Sequence, residues 1–319
     1  MKIRVVDVSQ SVSSDLDVKS RCDVRDLDTA VFTCLLAASN TLSRAIPAGF
    51  SDLERDQLVH FVNGLRSSHI SIRKLLSGGH DASSVDALVI ARLQLESLYS
   101  FCYLLKAPEN VRLYLKNGWK KRYIRFLIGR AEMCHLPGAS EFYLQQGPEY
   151  LEKLRIASFV TPEEKAWLEF DELGVGSPTP AEARIKKFPT PMGVIEDFDR
   201  NSRQPLLKRL YPEYQYLCSF AHGAAESSFL RAVTDPRSPI RHFLEPWKTF
   251  DIAQREVAEN AILYSALSCL LSATEVFAAC PSDVELSAKL AKAWNFLLSV
   301  HLLAGTVWDL RVKGVLGVV

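Results

Sequence analysis

An excess of one charge, paired cysteines and a membrane-length apolar run are all missing from this chain of 319 residues. Lys and Arg number 38 against 37 Asp and Glu, for a net charge of +1. No global field therefore draws nucleic acid or an anionic surface, and any electrostatic partner must be met by a local cluster. The cysteines number 7, an odd count with no CxxC. They read as small buried hydrophobes in a reducing cytoplasm, not as disulfides or zinc ligands. The two longest uncharged stretches, 260–274 and 294–308, each run to about 15 residues, short of the ~20 that span a bilayer. The opening MKIRVVDVSQ has no apolar core of a signal peptide. No membrane partner is expected, and the expected location is cytoplasmic. There is no GxxxxGK[ST] loop, no GxGxxG and no HExxH. An NTPase, a Rossmann dehydrogenase and a zincin protease are thereby disfavoured, and neither metal nor cofactor is expected.

What is present is helical punctuation. Ser51 stands three residues before Glu54, Thr161 before Glu164 and Ser282 before Glu285. Each is a capping-box spacing, in which the hydroxyl and the carboxylate each satisfy a free N–H of the first turn. Pro162 suits a first helical position, and Gly78, Gly79 and Gly174 suit helix ends. Apolar residues recurring at three and four predict helices near 26–46, 51–77, 84–106, 109–134, 140–157, 161–173, 206–233, 250–280 and 282–312. The last two should form an antiparallel hairpin. Residues 2–8 could make one strand, too little for a sheet. Residues 174–205 carry five prolines. They read as a structureless connection with one short helix starting at Thr179, either a surface insertion or a lid. The expected architecture is an all-α, multi-helix bundle in one domain. It has an arm at 1–25, a helical half at 26–173, the Pro-rich insertion at 174–205 and a second half at 206–319.

Three clusters carry chemistry. Between Ala87 and Leu105 the only charges are Arg92 and Glu96, one helical turn apart in apolar surroundings. A helix apolar all round is buried, and a buried charge must be paired. The pair either fixes helix register or builds a site where Arg92 binds an anion and Glu96 orients it. Further on, Tyr214, Cys218 and His222 fall on one stripe with Ser219 beside them. This face offers a phenol, a hydroxyl and a general acid or base, or else a core histidine held by its neighbours. The third cluster is the basic run Arg112, Lys116, Lys120, Lys121, Arg122, Arg125 and Arg130, free of acids and interleaved with Trp119 and Tyr123. It could hold phosphates and stack bases, with Lys116, Trp119, Lys120, Lys121, Arg122 and Arg125 as candidate RNA contacts. A solvated basic helix face shows the same pattern. One Glu-x-x-His, Glu132 to His135, lacks the second copy that a di-iron bundle needs.

The order of the first two clusters is distinctive. Arg92-x3-Glu96-x-Leu98-Tyr99-x3-Tyr103-Leu-Leu-Lys106 is followed by Pro108-Glu109, Tyr114-Leu115-x3-Trp119 and, much later, Tyr214-x4-Ser219-x2-His222. Over roughly residues 50–275 this resembles a bacterial family of helical proteins of unknown function that is similar to HEPN domains. The resemblance implies an all-α HEPN-like fold and a binding or interaction role in bacterial stress or phage defence. The partner would be RNA, a protein or a second copy of the chain. HEPN domains include metal-independent endoribonucleases with an Arg-x4–6-His motif at a dimer interface. The spacing occurs here as Arg55 to His60, Arg73 to His80, Arg130 to His135 and Arg237 to His242. The residues that carry the likeness are instead Arg92, Glu96, Ser219 and His222. A binding protein is thus the leading expectation, an endoribonuclease the alternative, and an enzyme acting on a small molecule around His222 the third. The leading structural expectation is that the helices near 84–106 and 211–233 face each other, bringing Arg92, Glu96, Tyr214, Ser219 and His222 into one polar core.

Overall fold

A computed structural model describes residues 14–45, 47–77, 83–136, 138–199, 206–221 and 247–317. The strand expected at 2–8, the glycine stop at 78–79, His222 and the helix expected past 221 lie outside these residues, as do His80, Arg237 and His242. Among the described residues the protein is all-α, with no strand. The longer helices are α1 (Ser14–Arg44), α2 (Asp52–Ser77), α3 (Ser83–Lys106), α4 (Pro108–Met133), α5 (Gly147–Ala157), α6 (Pro162–Leu173), α7 (Pro191–Asp199), α8 (Leu206–Ala221), α9 (Trp247–Ala279), α10 (Val284–Val300) and α11 (Leu302–Val307). The chain divides into two compact units. One comprises Met1–Thr41, Val62–Leu95 and Pro212–Val319, the other Leu42–Phe61 and Glu96–Tyr211.

Long apolar stripes run along α1, α2 and α9. Leu27, Val31, Leu35 and Leu42 recur along α1, and Leu58, Val62, Leu65 and Ile72 along α2, all of them buried. This three-and-four repeat puts one face of each helix against a core. In α9 the stripe widens until Ala266, Leu267, Cys269, Leu270, Leu271 and Ala273 are all buried. The hairpin expected from α9 to α10 forms, and the Trp294 indole N–H donates to the Thr274 hydroxyl at 3.0 Å. The α10 cap shifts by one residue from the spacing read in the sequence. Asp283 accepts from the Leu286 N–H and in turn receives the Thr41 hydroxyl at 2.6 Å, while Glu285 pairs with Lys289. Asp283 wins because an ionised cap makes stronger bonds than a serine hydroxyl.

The single helix expected over 282–312 is broken at His301, which is extended at φ −135°. Its Nδ1 accepts the Leu303 N–H at 3.1 Å and so caps α11. Burial holds this imidazole down to about 4, against an ordinary value of 6.5. A lowered histidine value favours the folded state fully above about pH 6.5, and the advantage drains away as pH falls toward 4. Over that window the group contributes up to about 3 kcal/mol. His301→Asn keeps a capping oxygen and removes the titration. Comparing urea midpoints at pH 7.5 and 4.5, the wild type should lose the larger part of its stability. An equal loss in both proteins would show that His301 is not the group responsible.

In the second unit Thr161 forms the full capping box with Glu164, and Gly174 closes α6 at φ +64°. Glu54, itself buried, takes the Ser51 N–H at 2.7 Å, the Ser51 hydroxyl at 2.8 Å and the Arg112 Nε at 2.6 Å. Burial alone would raise this carboxyl; the Ser51 and Arg112 bonds outweigh it and hold it below the ordinary value. Residues 174–199 depart from the structureless expectation. A single 3-10 turn spans Ala181–Ala183, Ile185 is buried, and Asn117 ties down the strand-like stretch through Lys186 O (2.8 Å) and Phe188 N (3.1 Å). Helix α7 follows, burying Val194 and Ile195. Its signal was Thr190 before Pro191, with the Thr190 hydroxyl accepting the Gly193 N–H at 3.3 Å. That is the cap already recognised at Thr161, here without a glutamate.

Two helical stretches, Val85–Lys106 and Val257–Ala279, are long and apolar enough to cross a membrane, and 50% and 72% of their most apolar windows are buried.

Candidate functional site

The polar core expected around Arg92 is present in part. Arg92 on α3 donates from Nη2 to the Tyr214 hydroxyl of α8 at 3.1 Å, and its guanidinium lies 5.4 Å from the centre of that ring. A charge-assisted bond and a cation–π contact thus join the two clusters that the sequence set 122 residues apart. Neither charge is fully buried, however: Arg92 and Glu96 are both half-buried, because α3 turns one face outward, as exposed Leu93 shows. Ser219 donates its hydroxyl to the Tyr216 carbonyl of its own helix at 2.7 Å. His222 lies outside the described residues. The neighbouring Glu213 instead accepts a short bond from the Tyr264 hydroxyl, and burial followed by that carboxylate pushes the phenol well above its usual range.

A second polar cluster in this unit was not anticipated. His69 of α2 is 2% exposed, with Nε2 2.9 Å from Asp28 Oδ1 of α1 and Nδ1 2.6 Å from Ser265 Oγ of α9. An ionised carboxylate only accepts, so Nε2–H donates to Asp28, and Nδ1 shares a hydrogen bond with the Ser265 hydroxyl. Arg73, one turn beyond His69, closes on the other Asp28 oxygen. The order Ser, His, Asp is that of an acyl-transfer triad. Yet Ser265 is fully buried in mid-helix, and the small cleft over Asp28, His69 and Arg73 does not reach it. No substrate carbonyl can approach that hydroxyl, so the three groups pin α1, α2 and α9 together. The signal was in the sequence: His69 stands in the row Leu58, Val62, Leu65, Ile72, where each neighbour is core.

The basic run on α4 divides sharply. Arg112 is spent on Glu54 and Lys116 on Glu164, both at 2.6 Å. Lys120 is half-buried beside Glu164 and Asp171, while Lys121, Arg122 and Arg125 are exposed. Among the described residues no carboxylate pairs with any of those last three. Arg122 donates to the Tyr150 hydroxyl at 3.0 Å. The rings expected to stack bases are buried in packing. Trp119 is 2% exposed, stacks on Tyr123 with centroids 4.6 Å apart and donates its indole N–H to Leu151 O at 3.0 Å. Both rings belong to a core with Phe126, Leu127, Leu151 and Leu168. Trp119 therefore offers no exposed ring face for stacking, though it lines a cleft with Gly118, Lys121 and Arg122. The ring that does sit beside the cations is Tyr150 of α5, 50% exposed, which the sequence did not single out.

The described Arg–His spacings hold no site. Arg55 is paired with Asp52 and Asp56, with His60 exposed nearby in sequence. Arg130 lies over the Phe126 ring, and Glu132 and His135 are both exposed. Among the described residues no three of His, Cys, Asp and Glu gather to hold a metal. No protein-family model, curated protein or solved structure matches the chain.

Proposed function

We propose that this chain is a HEPN-like helical binding protein whose ligand is single-stranded RNA, held on the outward face of α4. One observation carries the reading: Lys121, Arg122 and Arg125 are exposed on a single helix, and among the described residues none of them pairs with an acid. Among the described residues, the polar clusters at Arg92 and His69 join helices. An exposed cation row beside an exposed aromatic ring is the general solution for holding a single strand, phosphates on the cations and a base on the ring. In this reading the protein binds and does not cleave.

The test is equilibrium binding of a labelled single-stranded RNA to the full chain and to the Lys121→Ala/Arg122→Ala/Arg125→Ala variant. The variant should bind about 10- to 100-fold more weakly at low salt. The slope of log affinity against log salt should shrink by about 2, since three phosphate contacts on a single strand release about 0.7 counterion each. An unchanged affinity and slope would remove RNA from this face.

A further inference from the structure

We infer that the cleft at Gly118 is a nucleotide subsite, taking one nucleobase of the bound strand with its phosphate at the mouth. This rests on the RNA reading of α4 and names where on that face a base is held. The cleft has a volume of about 570 Å³, enough for a nucleotide, and opens between α4, α5, the start of α2 and the stretch at Phe188. Tyr114, Gly118 and Arg122 succeed one another four residues apart on α4, so a ring, a gap and a guanidinium lie in one row. Lys121 also lines the cleft, and no acidic residue does.

The walls are already fixed. Tyr114 packs edge-on against Phe188 and Phe61, at centroid distances of 5.2 and 5.1 Å. Asn117 clamps the backbone on both sides of Lys187 through Lys186 O and Phe188 N. Gln57 lines the same cleft, half-buried, and its amide has no hydrogen-bond partner among the described residues. A free amide beside flat apolar walls is what reads the edge of a base.

Gly118 supplies the independent argument. Glycine in the middle of a helix is unfavourable relative to alanine. Gly129 and Gly147 have packing reasons, since an added Cβ would lie 2.5 Å from the Tyr143 hydroxyl in one case and from the Phe126 ring in the other. A Cβ at Gly118 would meet nothing within 4 Å. The space is open as it is at Gly64, but here it adjoins the rings and cations of the cleft. An apolar ligand leaves the cations unexplained, and a bare anion leaves the rings unexplained. A nucleotide accounts for both.

Gly118→Leu puts a branched side chain into the middle of the row and leaves every cation in place. Gly64→Leu is its control, because Gly64 is also a helical glycine with nothing within 4 Å but does not line the cleft. With single-stranded RNA and the full chain, Gly118→Leu should bind about ten-fold more weakly, Gly118→Ala by less, and Gly64→Leu as wild type, with the salt slope the same in all. Thermal melting should show no loss for Gly118→Ala, which keeps the test valid if leucine disturbs α4. Wild-type affinity in both Gly118 variants, alongside weak binding by the triple cation variant, would overturn the subsite and leave RNA binding standing. No binding of RNA by the wild type would overturn both. Saturable binding of AMP by a wild type that ignores RNA would assign the cleft to a free nucleotide and overturn the strand assignment.

Discussion

His69→Leu and Asp28→Ala are each expected to cost about 3 kcal/mol of stability, and the double variant about 3 to 4 kcal/mol, well short of the sum. The reasoning turns on what each single change leaves behind. Leucine at 69 fills much of the volume but strands the Ser265 hydroxyl, and it leaves the Asp28 carboxylate with Arg73 alone, on a side chain that is 62% exposed. Alanine at 28 leaves the His69 Nε2–H without its acceptor inside the unit. A buried donor or acceptor left unmatched costs more than its bond contributed. Once both partners are gone the second loss is small, and that sub-additivity is the mark of a structural network. Urea unfolding followed by helical circular dichroism measures all three variants. Strict additivity, or single costs below about 1 kcal/mol, would mean that the three groups do not pin α1, α2 and α9 as described.

Trp119→Ala should cost about 3–5 kcal/mol, the range for deleting a large buried ring, because the indole is stacked on Tyr123 and bonded to Leu151 O in the centre of the second unit's core. Trp119→Phe keeps most of the packing and loses the N–H bond, leaving Leu151 O short of a donor, for about 1–2 kcal/mol. The ratio of effects separates two roles for this residue. A ring that stacked on bases would lose RNA affinity on substitution and keep its stability. A core ring does the reverse, so Trp119→Phe, which keeps a ring in the wall of the Gly118 cleft, should bind RNA nearly as wild type while melting lower. A variant that melts like the wild type but binds RNA weakly would return Trp119 to the surface.

Helix content was legible because apolar periodicity and caps are local. Thr161 with Glu164 and Gly174 gave α6 almost to the residue, and the α9–α10 hairpin followed from the break at Pro281. Arg92 and Tyr214 were correctly suspected of meeting, since each was a polar group on apolar text. The misses were of three physical kinds. Local rules see a helix but not which residue ends it when a side chain far away is involved. Asp283, fixed by Thr41 of α1, displaced Ser282 as cap, and His301 broke a helix that the periodicity continued through. Periodicity also gives two rows on α4 without weighing them: Leu115, Trp119, Tyr123 and Leu127 form an apolar row beside the basic one, and burial claims Trp119 for the core. Finally, a three-body network such as Asp28, His69 and Ser265 joins residues 41 and 196 positions apart. Its only local trace is a histidine standing where a leucine would be expected.

The distinction between committed and free cations was not legible either. Arg112 and Lys116 look like Lys121 and Arg125 in the sequence, and only the positions of Glu54 and Glu164 separate them. On that separation the functional reading depends. The measurement that bears on it most directly is incubation of the full chain with a labelled single-stranded RNA at two salt concentrations, with bound fraction read by anisotropy and the RNA then recovered and sized. The account predicts saturable binding that weakens steeply with salt, and RNA recovered at full length. RNA that stays unbound at low salt, or that returns shortened by the protein, would contradict it.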